Sequence, residues 1–418
     1  MQPKIYSATE HPIDRNFIDP DALFVLQKLS DAGFIAFLVG GGVRDLLVNR
    51  TPKDFDISTS ARPEQIKTIF GRSCILIGRR FRLAHIRFGH KIIEVSTFRT
   101  GENDDDLIVH DNQWGDPAED VLRRDFTMNG LFYDASNHSV IDYVGGMPDI
   151  QKGLLRTIGE PKMRFRQDPV RMLRLLKFQA RFGFTVEPST QKAMISCREE
   201  IVKSSPARIL EEMLRMLESG AASKFFHLMT ETGILEMLFP CLTYFLEGSH
   251  GQEVYSYLNA ADELNKSYRY PLDRSVLTSC LLFPIVEREI VSKYLSKNEM
   301  PNIGDIMMLC TSMIQAFITS SFSHFPRKIS STMGFILAMQ YRITPLSGRR
   351  HPRPKLMNNK EFELALRFLK VRSLVQKDLG ETYDFWKELH RNSERHGDRK
   401  AHHNPPPHHK PETDHEEE

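Results

Sequence analysis

Two aspartates and three glycines carry the strongest chemical signal in this chain. Asp54 and Asp56 follow a turn at Thr51-Pro52-Lys53, in a stretch where polar and apolar residues alternate. On a strand, alternation puts both carboxylates on one face and Phe55 with Ile57 on the other. Adjacent carboxylates repel unless a cation sits between them, and hard oxygen ligands with open positions suit magnesium. Upstream, the apolar run Phe37-Leu38-Val39 reads as a buried strand entering Gly40-Gly41-Gly42. The glycines let the backbone turn tightly and approach a ligand. A helix expected from Val43 to Val48 points its free amides at the same place, an anion site suited to a nucleoside triphosphate. Either half alone reads as an ordinary turn or a solvated edge strand. In this order they form a phosphate cradle followed by a metal-binding pair, the combination that nucleotidyl transfer needs.

LVGGGVRD followed by KDFDIST resembles the head-domain signature of the class II nucleotidyltransferases, the CCA-adding tRNA enzymes and bacterial poly(A) polymerases. The resemblance implies an α+β protein: a polymerase beta-like α/β head, then an all-helical neck, body and C-terminal region. It implies nucleotide contacts from Gly40, Gly41 and Arg44, and two magnesium ions on Asp54 and Asp56. Asp120-Val121-Leu122-Arg123-Arg124-Asp125-Phe126-Thr127 resembles the RRDFT motif, which implies that Arg124 touches the nucleotide and Asp125 assists catalysis. Read without the family, the same residues are an Arg–Asp pair capping a helix at Thr127. Asp168, Arg171 and Arg174 match the EDxxRxLR motif, whose arginines read the incoming base. Gln167 departs from that motif, standing where the family usually has Glu; it can hydrogen-bond a base edge but carries no charge. IGRRFRLAHI, residues 77–86, resembles the segment that sets poly(A) polymerases apart from CCA-adding relatives. The expected activity is therefore template-independent addition of AMP from ATP to RNA 3′ ends. A CCA-adding enzyme is the nearest alternative, and a non-catalytic RNA-binding protein is one of another class.

The chain has 418 residues, 40% of them hydrophobic, enough for a buried core and more than one domain. Its net charge is only +2, so any nucleic-acid surface comes from local clustering of the 56 Lys and Arg. Five scattered cysteines without CxxC spacing read as reduced thiols. No run approaches the roughly 18 apolar residues of a membrane span, and the N-terminus lacks an apolar leader core. A soluble, cytoplasmic monomer is expected.

Boundaries are expected at 1–150 for the head, 151–221 for the neck, 222–390 for the body and 391–418 for a disordered charged tail. Residues 1–20 read as irregular, Asp21 onward as a helix ending at Gly33, and Cys74-Ile75-Leu76-Ile77 as a buried strand. Glu94, in the alternating run 92–99, is an outward strand position or a third carboxylate near the metals. Arg79 and Arg80 lie on a solvated face or contact phosphates, and Arg349, Arg350 and Arg353 form a solvated linker or track RNA. Residues 100–120 read as a loop that orders with substrate. Asp168-Pro169 opens a helix with Met172, Leu173, Leu176 and Ala180 as its buried stripe and Arg171, Arg174 and Arg181 opposite. Pro206 to Leu217 reads as an amphipathic helix with Glu211 and Glu212 on its polar side.

Overall fold

The computed structural model describes residues 1–78, 83–100, 114–248, 250–268, 271–321, 325–346 and 354–401. The chain divides into two compact units, one of residues 1–213 with 224–240, the other of 214–223 with 241–418. The change from strands to helices near residue 150 falls inside the first unit.

The first unit is built on eight strands: β1 (Lys4–Tyr6), β2 (Ala36–Val39), β3 (Asp56–Thr59), β4 (Cys74–Ile77), β5 (Leu83–Phe88), β6 (Lys91–Thr97), β7 (Leu131–Asp134) and β8 (Ser139–Asp142). They form one sheet in the order β1-β8-β7-β2-β3-β6-β5-β4. Only β3 and β6 run parallel in it, and the chain between them supplies a helix and the β4–β5 hairpin. Helices α1 (Pro20–Asp31) and α3 (Pro63–Phe70) pack on one face, burying Ile57, Ala84, Ile86, Ile93 and Val95 almost completely. α2 (Gly40–Leu47) follows β2 directly.

Strand β1 corrects the reading of residues 1–20 as irregular. It pairs with β8 through Lys4, Ile5 and Tyr6, and three residues are too few to show a period in the sequence. Cys74–Ile77 is a strand, but an edge strand: Cys74 is buried while Ile75 and Ile77 are 41% and 44% exposed.

α4 (Pro117–Leu122) lies between β6 and β7, and past the sheet come α5 (Gly146–Gln151), α6 (Pro161–Gln167), α7 (Val170–Phe182), α8 (Pro188–Cys197) and α9 (Pro206–Leu217). α4 opens on a capping box in which Asp116 and Glu119 satisfy each other's backbone amides, so part of the expected loop is helix. α7 ends at Gly183, whose φ of 72° closes the helix at no side-chain cost. The expected stripe of Met172, Leu173, Leu176 and Ala180 is buried, but the opposite face is not solvated: Arg171 and Phe178 are buried as well. Glu212 likewise leaves the polar side of α9 and pairs with Lys177 and Arg174 of α7.

The second unit is helical among its described residues. α10 (Ala222–Glu231) begins in it, and α11 (Ile234–Leu238) belongs to the first unit. Then follow α12 (Pro240–Glu247), α13 (Gly251–Ser267), α14 (Arg274–Lys293), α15 (Ile303–Ser321), α16 (Arg327–Ile343), α17 (Phe362–Val375) and α18 (Gly380–Ala401). Trp386 of α18 is 1% exposed against Phe362, Leu366 and Leu369, and its indole N–H donates to Ile343. α18 therefore runs to Ala401, into the segment from 391 for which a disordered tail is expected. Among the described residues no helix is long and apolar enough to cross a membrane.

Candidate active site

The helix after β2 starts at Gly40, three residues before the sequence spacing places it. Its first turn is the glycine run, and each glycine has its own reason. Gly40 has φ +64°, a conformation that costs other residues about 1–2 kcal/mol. A Cβ on Gly42 would lie 3.2 Å from the Phe55 ring and 3.3 Å from the Asp54 carbonyl, so the turn rests on the aspartate segment. A Cβ on Gly41 would meet only the Arg44 guanidinium, at 3.5 Å. Gly40→Ala is accordingly expected to lower unfolding free energy by about 1–2 kcal/mol in denaturant titration, and Gly41→Ala to change it by less than about 0.5 kcal/mol.

Asp54 lies in the extended segment just before β3, and Asp56 is the first residue of the strand. Phe55 and Ile57 are buried while Asp54 is exposed and Asp56 half-buried, so the alternation places both carboxylates away from the core. Asp56 is flanked in register by Val39 on β2 and Glu94 on β6. The chain therefore turns into its glycine cradle beside the strand that carries the acid. Glu94, the candidate third carboxylate, stands in register beside Asp56 and has a partner of its own. Its carboxylate meets His85 on the next strand, with Nε2 3.3 Å from Oε2, and no group of three metal-ligating side chains is gathered among the described residues. Asp54 and Asp56 alone still fit magnesium: both offer hard oxygen donors, and neither is sunk in the core.

Arg124 reaches the same face. Its guanidinium donates to Ser58 Oγ at 3.2 Å, two residues along β3 from Asp56, and a Cβ on Gly40 would lie 3.7 Å from its Nη1. The buried Asp120 holds it, accepting from Nη2 at 2.7 Å, and also accepts from Arg123 at 3.0 Å. Burial alone would raise the Asp120 pKa, but Arg124 and Arg123 outweigh it and keep the group below the ordinary carboxylate range. Asp120 escaped the sequence reading, although its spacing of three and four from the arginines is a helix-surface pairing.

Asp125 is buried, and its partner is Arg174 of α7, 2.8 Å away, rather than a neighbour in its own motif. Its other oxygen accepts from the Phe126 amide at 2.8 Å and Asn129 at 3.0 Å. The ion-pair partner of Asp125 therefore comes from α7 and not from the arginines beside it in its own motif. Arg171 is buried too, donating to the backbone carbonyls of Arg164 and Arg123. Burial lowers its pKa, and that of Arg164 to about 9. Asp168 accepts from Arg208 at 2.8 Å through one oxygen, while its buried Oδ1 has no hydrogen-bond partner, and neither does Arg174 Nε.

Arg44, expected at the nucleotide, has hydrogen-bond partners within the protein. It lies inside the unit, donating to Asp45 at 2.7 Å and Asn129 at 2.8 Å, with its guanidinium about 5 Å from the Phe178 and Phe182 rings. These contacts hold α2 against α7. Arg181 binds the other oxygen of Asp45 at 2.9 Å. Arg79, Arg80, Arg349, Arg350 and Arg353 lie outside the described residues, as do residues 101–113 of the expected loop.

Residues 36–156 match "Poly A polymerase head domain", residues 183–246 "Probable RNA and SrmB- binding site of polymerase A", and residues 312–417 "Polymerase A arginine-rich C-terminus". Poly(A) polymerase I of Salmonella typhi is 34% identical over 92% of this chain and 85% of its own length. The chain belongs to the bacterial poly(A) polymerase family. A CCA-adding enzyme of Lactobacillus johnsonii is 37% identical, but over 51% of this chain and 54% of its own. The crystal structure of the Bacillus stearothermophilus CCA-adding enzyme in complex with CTP superposes with a TM-score of 0.62 at 27% identity, covering 89% of this chain and 82% of that one. Membership makes the α+β nucleotidyltransferase fold a family property, and the eight-stranded sheet with its glycine turn is the local form of it.

Proposed function

We propose that this chain extends RNA 3′ ends with AMP from ATP, without a template, and releases pyrophosphate. The observation that carries the reading is the similarity to poly(A) polymerase I along 92% of the chain, where the CCA-adding relative matches about half. Asp54 and Asp56 would hold magnesium, which when bound lowers the pKa of the attacking hydroxyl and neutralises charge on the triphosphate. The amides of the Gly40 turn and the Arg124 guanidinium bind and orient the phosphates on the face that carries Asp56. Asp168 Oδ1 and Arg174 Nε are a buried acceptor and a buried donor without hydrogen-bond partners. They suit the amino group and ring nitrogen of an adenine edge. Gln167 has its own partner in Arg164, at 3.5 Å, and brings no charge to the base. Arg79, Arg80, Arg349, Arg350 and Arg353 extend the RNA path by contacting phosphates.

The decisive experiment offers the purified protein each nucleoside triphosphate with an unstructured RNA and with a tRNA lacking its terminal CCA. ATP on the unstructured RNA is expected to give a ladder of long products, and CTP little product. A dominant product that stops after three additions to the tRNA, made from CTP and ATP together, would instead make this a CCA-adding enzyme. Binding of RNA with no incorporation from any triphosphate would leave the non-catalytic reading.

A further inference from the structure

One face of the sheet is packed by α1 and α3, and the other bears a row of polar side chains in register. Asp56 on β3 pairs with Glu94 on β6, and Glu94 pairs with His85 on β5. In-register neighbours share a face and stand about 5 Å apart, so the three form a line across the sheet starting at the reaction centre. Their sequence neighbours confirm the side: Ile57, Ile93, Val95, Ala84 and Ile86 are at most 2% exposed on the packed face. Beyond His85 the row continues to Ile75, and Ile77 and Ile92 flank it, all three between 41% and 48% exposed. A sheet surface that exposes three isoleucines beside a carboxylate–imidazole pair is made to be covered by something part polar and part apolar.

We infer that the His85–Glu94 pair and its isoleucine surround form the subsite for the 3′-terminal nucleoside of the RNA primer, gripping its ribose through the 2′-hydroxyl. The inference rests on the polymerase reading and adds to it a basis for choosing RNA over DNA. The occupant follows from continuity. Whatever hydroxyl attacks at Asp56 belongs to a sugar, and that sugar must lie within one strand spacing of Asp56. Asp56 is flanked by the glycine cradle on one side, which takes the incoming triphosphate, and by Glu94 on the other. A 2′-hydroxyl is both donor and acceptor, which matches a carboxylate and an imidazole held 3.3 Å apart. The terminal base, an apolar plate, then has Ile75, Ile77 and Ile92 to lie on.

The test compares two RNA primers that differ only in a 2′-deoxy terminal nucleotide, using the full chain and its His85→Ala, His85→Gln and Glu94→Gln variants. Wild type should extend the all-ribo primer at least about tenfold more efficiently than the deoxy-ended one, the worth of hydrogen bonds to a charged group. Its equilibrium affinity, measured without ATP or magnesium, should favour the ribo end in the same direction. His85→Ala and Glu94→Gln should reduce that preference to within about twofold by slowing only the ribo primer, with KM for ATP unchanged. His85→Gln, which keeps a hydrogen-bonding side chain, should retain more of the preference than His85→Ala. An unaltered ribo-to-deoxy ratio in folded variants overturns the subsite. So does an equal loss on both primers in Glu94→Gln, which would return Glu94 to the metals. No incorporation into either primer by wild type would count against the polymerase reading itself.

Discussion

Asp54→Ala and Asp56→Ala are each expected to lose nucleotide addition by about a thousandfold or more while folding normally. The size of the loss reflects what two carboxylates do in such a site. They fix the ions against which charge builds on the reacting phosphate, and losing a preorganised electrostatic partner commonly costs two to three orders of magnitude. The fold is spared because neither side chain contributes burial: Asp54 is exposed and Asp56 half-buried, while Phe55 and Ile57 between and after them are at most 8% exposed. The melting temperature should therefore stay within a degree or two, and RNA affinity should be nearly unchanged. Phe55→Ala is the contrasting variant, expected to cost about 3 kcal/mol by leaving a cavity under the glycine turn. Retention of more than a few per cent of activity by either aspartate variant would remove the residue from the metal site.

Much of this was legible in the sequence wherever a local rule sufficed. The alternation of Asp54, Phe55, Asp56 and Ile57 states which side of the strand each occupies, and burial follows it. A glycine triplet announces a tight turn, although its reach into the helix, with Gly40 at φ +64°, is backbone detail that composition does not encode. What the sequence could not display were partners far apart along the chain. Arg171 and Arg174 on a helix face look solvated until Asp125, about fifty residues earlier, is brought against them. Arg44 sits in a motif that invites a phosphate, yet Asp45, Asn129 and the rings of Phe178 and Phe182 enclose it. Glu212 reads as a polar position on α9, yet it forms a half-buried pair with Lys177 of α7. Edge strands fail for a different reason. At Cys74–Ile77 an apolar run suggests burial on both sides, but α1 and α3 cover only one face of the sheet, and Ile75 and Ile77 lie on the other.

Asp125→Ala is expected to destabilise the first unit by about 3 kcal/mol and to weaken ATP binding without touching metal dependence. Breaking a buried ion pair by removing one partner costs about 3–5 kcal/mol, because the remaining charge is stranded. The lower end applies here: the Arg174 side chain is 36% exposed and keeps Glu212 4.0 Å away. Arg174→Ala should cost more, since it leaves a carboxylate that is only 5% exposed with no cation at 2.8 Å. The double variant should then be more stable than the sum of the two losses predicts, with a coupling of 1 kcal/mol or more. Acid unfolding gives an independent reading. Burial alone would raise the Asp125 pKa, but Arg174, Asn129 and the Phe126 amide together hold it below its ordinary value. A carboxylate with a depressed folded-state pKa adds stability above its unfolded pKa, near 4, and that stability is lost as pH falls through the folded value. Wild type should accordingly show a steeper loss of stability below about pH 4 than Asp125→Ala. In steady state the variant should raise KM for ATP several-fold, leave KM for RNA unchanged, and show an unaltered magnesium optimum, because what moves is the Arg174 guanidinium proposed to read the base. If Asp125→Ala instead shifts the magnesium dependence while its stability and acid profile match wild type, Asp125 belongs with Asp54 and Asp56 at the metals, and the positioning role fails.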